Sequence, residues 1–129
     1  DNIPLPAGSG GRTYRDAFAR IVLPVIDQYG PDGLLVSAGY DGHAEDPLGG
    51  MKLLAGDYES MAASLGMAMD RTNTVFILEG GYNLHAIAAS VAATLNGFAF
   101  GTVPIEMPED RDPWVDHAVA VDSLFWDLD

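Results

Sequence analysis

The sequence predicts an α/β fold built on a parallel β-sheet. Two short apolar runs, residues 34–36 and 75–78, are bounded by turn residues, as is typical of strands buried in a parallel sheet rather than of one-sided antiparallel strands. Segments with apolar residues at helical spacing lie before, between and after these runs. The order helix, strand, helix, strand, helix favours right-handed crossovers and a parallel sheet covered by helices on both faces.

The elements follow one another with clear boundaries. Residues 2–11 contain two prolines and three glycines, which predicts an extended loop that ends in a turn. A helix is predicted from Thr13, and Pro24 is expected to kink or restart it. The turn residues 30–33 then end it ahead of the first strand. The apolar positions that predict this helix are Tyr14, Phe18, Ile21, Val22, Val25 and Ile26.

Two more helical stripes and an acidic tail complete the chain. Beyond Gly97 the sequence becomes rich in proline and acidic residues, and apolar residues return from 118 to 126. This pattern is consistent with a surface excursion that returns as a terminal helix. We therefore interpret residues 1–129 as part of one α/β domain in which residues 100–129 form an acidic tail. The two helical stripes are Tyr58, Met61, Leu65 and Met69, and Leu84, Ile87, Val91 and Leu95.

Composition and charge exclude several classes of function. A chain of 129 residues with 48% apolar content suits one domain with a real core. The net charge of -13 would repel phosphate backbones, so direct binding to nucleic acid is disfavoured. The longest nearly apolar stretch, residues 84–95, is too short to cross a membrane. The absence of cysteine excludes disulfides and thiolate metal sites, and no signal-peptide pattern is present, so a cytoplasmic location is expected.

The residues just past the first strand suggest a metal ligand. Asp41 lies between two nearby glycines at the end of the sheet where ligands bind in open α/β folds, and its carboxylate suits Zn²⁺ or a similar ion. The alternative is that Asp41 accepts nearby N–H groups and caps a turn. His43 is either a second ligand or a solvent-facing or supporting residue. A metal site on Asp41 and His43 would need a third ligand. Glu45 and Asp46 are near in sequence, but neighbouring residues of a loop do not necessarily face the same metal ion.

A second group of chemically useful residues follows the other strand. In Glu79-Gly80-Gly81-Tyr82, two glycines allow the backbone to turn a phenol back toward the sheet edge. A hydroxyl placed in this way can donate to a developing oxyanion, which is worth roughly 3–4 kcal/mol. The alternative is that Tyr82 is an aromatic lid packed on a helix. Glu79 is expected to be a structural acceptor for loop N–H groups rather than a base.

Taken together, four short runs resemble the histone deacetylase and acetylpolyamine amidohydrolase superfamily. They are residues 2–6 (NIPLP), 37–41 (SAGYD), 46–50 (DPLGG) and 79–82 (EGGY), in the order and approximate spacing of that family. The resemblance covers residues 2–98 and corresponds to the C-terminal part of the catalytic domain. It implies a three-layer, arginase-like α/β fold with a parallel sheet, present here only as its C-terminal portion.

The resemblance also implies zinc-dependent removal of acyl groups from amines, in which the metal polarises the amide carbonyl and activates water. Asp41 matches the last of the family's three protein zinc ligands, and Tyr82 matches the phenol that hydrogen-bonds the scissile carbonyl. Leu48 matches a residue at the rim of the acyl-lysine tunnel, and Gly80 and Gly81 lie beside that tunnel. The uncharged Leu48 favours acyl-lysine or another acylated amine as substrate over a polyamine.

The same resemblance implies that the site is incomplete. By the resemblance, His43 follows the ligand in a loop and is not itself a ligand, which favours a supporting role for it; Glu79 is expected to have a supporting role from its own motif. The family's paired catalytic histidines and its other two ligands lie upstream of the matching region, so the Zn²⁺ site is expected to be incomplete and this chain alone inactive.

Several alternatives stay open at this point. Either the chain is a fragment, or a separate polypeptide supplies the missing N-terminal half. A homo-oligomer, an inactive interaction module and a different hydrolase with metal on Asp41 and His43 are further alternatives.

Overall fold

The fold is built on two parallel strands, and the computed structural model describes residues 2–128. Strand β1 (Leu34–Ala38) pairs with strand β2 (Thr74–Leu78), with Leu34 opposite Thr74 and Ala38 opposite Leu78. Both strands are slightly longer than the apolar runs that predict them. The parallel pairing confirms the predicted α/β class and places the carboxyl ends of the two strands side by side.

The first helical region has three parts, α1 (Gly11–Ala17), a π-helical segment (Phe18–Val22) and α2 (Leu23–Tyr29). Helix α1 starts two residues before the predicted Thr13. Pro24 lies in the first turn of α2, directly after the π-helical segment, and the backbone of Val22 and Leu23 stays in the right-handed helical conformation, so the helix changes type there without a break. Helix α2 ends at Gly30, which adopts the left-handed conformation with φ 59°.

The longer helices are α3 (Ala55–Ala68) and α4 (Leu84–Phe100), which pack against each other. Met69, predicted to lie on the first of these, caps its end instead, whereas α4 continues three residues beyond Gly97. Local apolar spacing marks the middle of a helix well but its ends poorly. No helix within residues 2–128 is long and apolar enough to span a membrane.

The expectation that helices cover both faces of the sheet is wrong for the part of the chain that the structure describes. Phe76 of β2 packs on Phe98 of α4, with ring centroids 5.0 Å apart. On the opposite face, Leu35, Val75 and Ile77 are 74%, 52% and 47% exposed. These strands have the continuous apolar sequence of a fully buried sheet, but residues 2–128 supply helices for only one face.

The C-terminal segment returns to the first helical region as α5 (Pro113–Asp122). The guanidinium of Arg20, almost fully buried, lies 2.7 Å from the Asp116 carboxylate and 3.4 Å from that of Asp16. Asp16 also accepts the backbone N–H of Asp112 at 2.8 Å. The acidic segment is therefore attached to α1 and the π-helical segment by the ion pair between the buried Arg20 and the half-exposed Asp116, by the hydrogen bond from Asp112 to Asp16, and by an apolar cluster. The cluster consists of Ala17, Ile21, Val115, Ala118 and Leu128.

Candidate functional site

Two loops meet at the carboxyl ends of β1 and β2. The backbone N–H of Tyr40 donates to the carbonyl of Gly80 at 2.8 Å, and the N–H of Glu79 donates to the carbonyl of Ala38 at 3.2 Å. These bonds continue the parallel ladder beyond the strands. They bring together the two segments that the sequence singles out, as the end-to-end alignment of parallel strands requires.

The carboxylate of Asp41 lies against the backbone of the second loop. A Cβ atom built on Gly80 would lie 2.8 Å from Cγ of Asp41 and within 3.0 Å of both carboxylate oxygens. Only glycine permits this approach. Within residues 2–128, no N–H group donates to the carboxylate of Asp41, which is exposed, so the turn-capping alternative does not describe this geometry.

The turn-capping role belongs to Asp46, which the sequence offers only as a neighbour of His43 and as the first residue of the 46–50 motif. One of its carboxylate oxygens accepts the N–H groups of Leu48 and Gly49, each at 2.9 Å. The other accepts the N–H of Tyr82 at 2.7 Å. Its side chain is buried, with 8% exposure. The signal that points to it is an Asp followed by Pro and Gly-Gly, which is typical of a turn closed by an Asp side chain.

These hydrogen bonds also affect the charge of Asp46. Burial disfavours the ionised carboxyl, but the N–H groups of Leu48, Tyr82 and Gly49 outweigh it and lower the pKa of Asp46 below its usual value. The group is therefore a carboxylate at neutral pH. An ionised acceptor forms stronger hydrogen bonds to backbone N–H groups than a neutral one.

Tyr82 and Leu48 are both exposed at this edge, with 61% and 72% of their surface accessible. Gly81 precedes Tyr82 with φ 133°, a conformation that residues with a side chain rarely adopt. A Cβ atom there would also lie 2.8 Å from the side chain of Ile87. Both the backbone angle and the close contact therefore require glycine between the strand and the phenol.

His43 and Glu79, both predicted to have supporting roles, lie in different environments. His43 is not solvent-facing, since it is 7% exposed and its Nδ1 accepts the N–H of Glu45 at 3.2 Å. Glu79 is exposed, and within residues 2–128 its carboxylate accepts no N–H group of the loops. The predicted acceptor role of Glu79 is therefore wrong, because the buried Asp46 already binds the loop N–H groups.

A cavity of about 470 Å³ lies beneath Asp41 between β1, α1 and α3. Tyr40 and Tyr58 line it, with ring centroids 5.1 Å apart, and the Tyr40 hydroxyl donates to Thr94 at 3.2 Å. In the described part of the chain, the buried Tyr58 hydroxyl has no hydrogen-bond partner. Burial and the nearby Tyr14 and Asp41 raise the pKa of Tyr58, so its phenol stays protonated.

The described residues do not form a complete metal site. Nowhere in residues 2–128 do three or more His, Asp or Glu side chains converge in a way that could hold a metal ion. A catalytic zinc site in a protein takes three protein ligands. Asp41 therefore supplies one carboxylate at most, and the residues present do not fit Zn²⁺ by themselves.

Comparisons with known proteins agree with the motifs at these two loops. The model of the histone deacetylase domain family matches residues 1–98. This chain belongs to the histone deacetylase family. Histone deacetylase 10, chloroplastic, of Oryza sativa is 43% identical over 100 residues, which are 75% of this chain and 23% of the rice protein. An uncharacterized protein of Synechocystis is 48% identical over 99 residues, 77% of this chain and 32% of that protein.

Solved deacetylase structures show that the folds correspond. The histone deacetylase Clr3 superposes with a TM-score of 0.81 at 32% identity, over 97% of this chain and 22% of that chain. The HDA15 HD domain superposes with a TM-score of 0.82 at 32% identity, over 97% of this chain and 36% of that domain. The fold is therefore part of the arginase-like deacetylase fold, and the chain spans a third or less of the length of its two relatives above.

Proposed function

We propose that this chain forms the C-terminal part of a zinc-dependent amidohydrolase site that removes the acyl group from acyl-lysine or another acylated amine. The observation that supports it most is the contact between Asp41 and Gly80, which joins the two strand-end loops at one edge of the sheet. Asp41 is one zinc ligand in this proposal, and the remaining ligands come from the upstream part of the domain. Family membership supports deacetylase chemistry in general.

Tyr82 is the proposed oxyanion donor. Its exposed phenol follows Gly81, and its backbone N–H donates a hydrogen bond to the carboxylate of Asp46 at 2.7 Å. A single preorganised donor of this kind contributes roughly 3–4 kcal/mol to the stability of the transition state. Leu48 is the proposed rim residue, and its exposed apolar side chain suits the aliphatic part of an acylated amine better than a second cationic group.

The proposed partner is the N-terminal half of the same domain, either in one polypeptide or as a separate subunit. The sheet face that residues 2–128 leave exposed supports this partner, since Leu35 and Val75 on that face are more than half exposed although they lie in apolar strands. Exposed apolar surface of this kind marks an interface. Self-association of the chain and a cytoplasmic location both stay predictions.

The test uses the completed domain, meaning this chain together with the upstream part of a histone deacetylase domain. We expect zinc-dependent hydrolysis of an acetyl-lysine peptide, and a fall in kcat on the order of a hundredfold for Tyr82→Phe with zinc still bound. Tyr29→Phe is the matched control, because Tyr29 is 71% exposed and packs on Trp126 at the end of α2. Equal turnover in the two variants would refute the role of Tyr82.

Asp41→Asn tests the proposed ligand separately. We expect the completed domain to lose zinc on dialysis much faster with this substitution, because an amide is a far weaker zinc ligand than a carboxylate. Unchanged zinc content would rule out Asp41 as a ligand. A completed domain that retains zinc through Asp41 but hydrolyses no acylated amine would instead support the alternative of an inactive interaction module.

A further inference from the structure

The loops that carry Leu48 and Tyr82 are connected by one buried side chain. Asp46 and Tyr82 are 36 positions apart in sequence, and the N–H of Tyr82 donates to the Asp46 carboxylate at 2.7 Å. The other oxygen of the same carboxylate accepts the N–H groups of Leu48 and Gly49 at 2.9 Å. Both groups assigned to substrate contact in the proposed function are therefore attached to the same anion.

A second link lies next to the first. The side-chain N–H of Asn83 donates to the carbonyl of Glu45 at 3.0 Å. The side-chain oxygen of Asn83 accepts the N–H groups of His85 and Ala86 at the start of α4. Asn83 therefore connects the start of α4 to the backbone beside Asp46. The loop at residue 82 is constrained twice, by the N–H of Tyr82 and by the side chain of Asn83.

We propose that Asp46 is the positioning residue for Tyr82, and that it sets the place of the phenol relative to the tunnel rim at Leu48. This inference rests on the proposed function, because it concerns the same site. Asp46 acts through the backbone of residue 82 and touches no substrate. The low pKa that the N–H groups give Asp46 keeps it a carboxylate in the neutral range, which supports the link.

Asp46→Asn tests the link with little change in shape. Asparagine has one oxygen, which can continue to accept from Leu48 and Gly49, but its NH₂ group would then face the N–H of Tyr82, donor against donor. In the completed domain we expect kcat to fall on the order of ten- to a hundredfold, with KM changed less than about threefold. We also expect hydrogen exchange at the Tyr82 amide to accelerate on the order of tenfold.

Asp112→Asn is the matched control. The carboxylate of Asp112 also accepts a backbone N–H, that of Trp114 at 2.9 Å, and the hydroxyl of Thr13 at 2.8 Å, but it caps α5. Its loss should lower the melting temperature without changing kcat or exchange at Tyr82. A merely structural role for Asp46 would make the two variants behave alike, which would overturn the inference.

A double-mutant cycle shows whether Asp46 acts through the phenol. In a Tyr82→Phe background, Asp46→Asn should change kcat less than about threefold, because the hydroxyl that it positions is gone. A full, additive loss in that background would overturn the inference. Should Tyr82→Phe itself have no effect on turnover, the proposed function fails, and exchange at the Tyr82 amide still decides whether Asp46 holds this residue.

Asn83→Ser provides a second variant in case Asp46→Asn does not fold. Serine still caps α4 but cannot reach the carbonyl of Glu45, so it removes only the neighbouring link. We expect faster exchange at the Tyr82 amide and a several-fold fall in kcat with KM unchanged. Exchange and kcat identical to those of the unaltered protein in every variant that folds would overturn the inference.

Discussion

The contact between Gly80 and Asp41 allows a sharp test by adding a single methyl group. In Gly80→Ala, the new Cβ would lie 2.8 Å from Cγ of Asp41 and 2.9 and 3.0 Å from its two oxygens. Ordinary carbon contacts begin near 3.5 Å, so the carboxylate or the loop must move by roughly 0.5–1 Å. Overpacking of this kind costs about 1–3 kcal/mol of stability.

The displacement should affect activity as well as stability. A shift of about 1 Å in a reacting group can lower turnover a hundredfold, so we expect Gly80→Ala to reduce kcat of the completed domain about 30- to 100-fold and to weaken zinc retention. The assay is acetyl-lysine hydrolysis with zinc content measured on the same sample.

Gly56→Ala is the matched control, because nothing lies within 4 Å of a Cβ built there. Gly56 lies in the first turn of α3, so this substitution should change stability by less than about 1 kcal/mol and leave kcat unchanged. Equal kcat and zinc content in the two variants would refute the argument that the close approach of the Asp41 carboxylate to Gly80 places that carboxylate for zinc binding.

Two further predictions concern the attachment of α5. Arg20→Met should lower the free energy of unfolding in urea by about 3–5 kcal/mol, because it leaves Asp16, which is 1% exposed, without its cation. Arg12→Met is the control: it breaks only an exposed ion pair and should lower the free energy of unfolding by less than about 1 kcal/mol. Burial opposes the charge of Asp112, but hydrogen bonds, including that from Thr13, lower the pKa of its carboxyl in the folded protein. The ionised Asp112 therefore stabilises the fold above the ordinary carboxyl pKa near 4, and this stabilisation is lost as the pH falls through the lower pKa of the folded state. Unfolding midpoints measured from pH 6 to pH 2 should therefore fall less steeply for Asp112→Asn, and identical slopes would contradict this assignment.

The secondary structure of this chain was largely predictable from local patterns. Apolar runs bounded by turn residues marked both strands, and Pro24 marked the change from the π-helical segment to α2. The ends of helices were less predictable, since Met69 caps α3 and α4 runs to Phe100. A helix end depends on capping bonds and on packing partners from elsewhere, which periodicity does not encode.

The site was predictable only in part. The motifs identified Asp41 and Tyr82 because glycines beside a carboxylate and a phenol are visible in a linear sequence. Asp46 was not recognised, because its bond to Tyr82 spans 36 positions and exists only once the loops meet. Glu79 was assigned a role that the buried Asp46 performs, since exposure is not visible in a motif.

The sequence by itself determined the α/β class, the family and the residues at the two strand ends, because these depend on local periodicity and on short collinear motifs. Only the tertiary structure decided that Gly80 lies against Asp41, that the Tyr82 N–H donates to Asp46, and that residues 2–128 leave one face of the sheet exposed. The physical reason is that these features are contacts between segments distant in the chain. Their distances follow from how strands and helices pack, which no local pattern specifies.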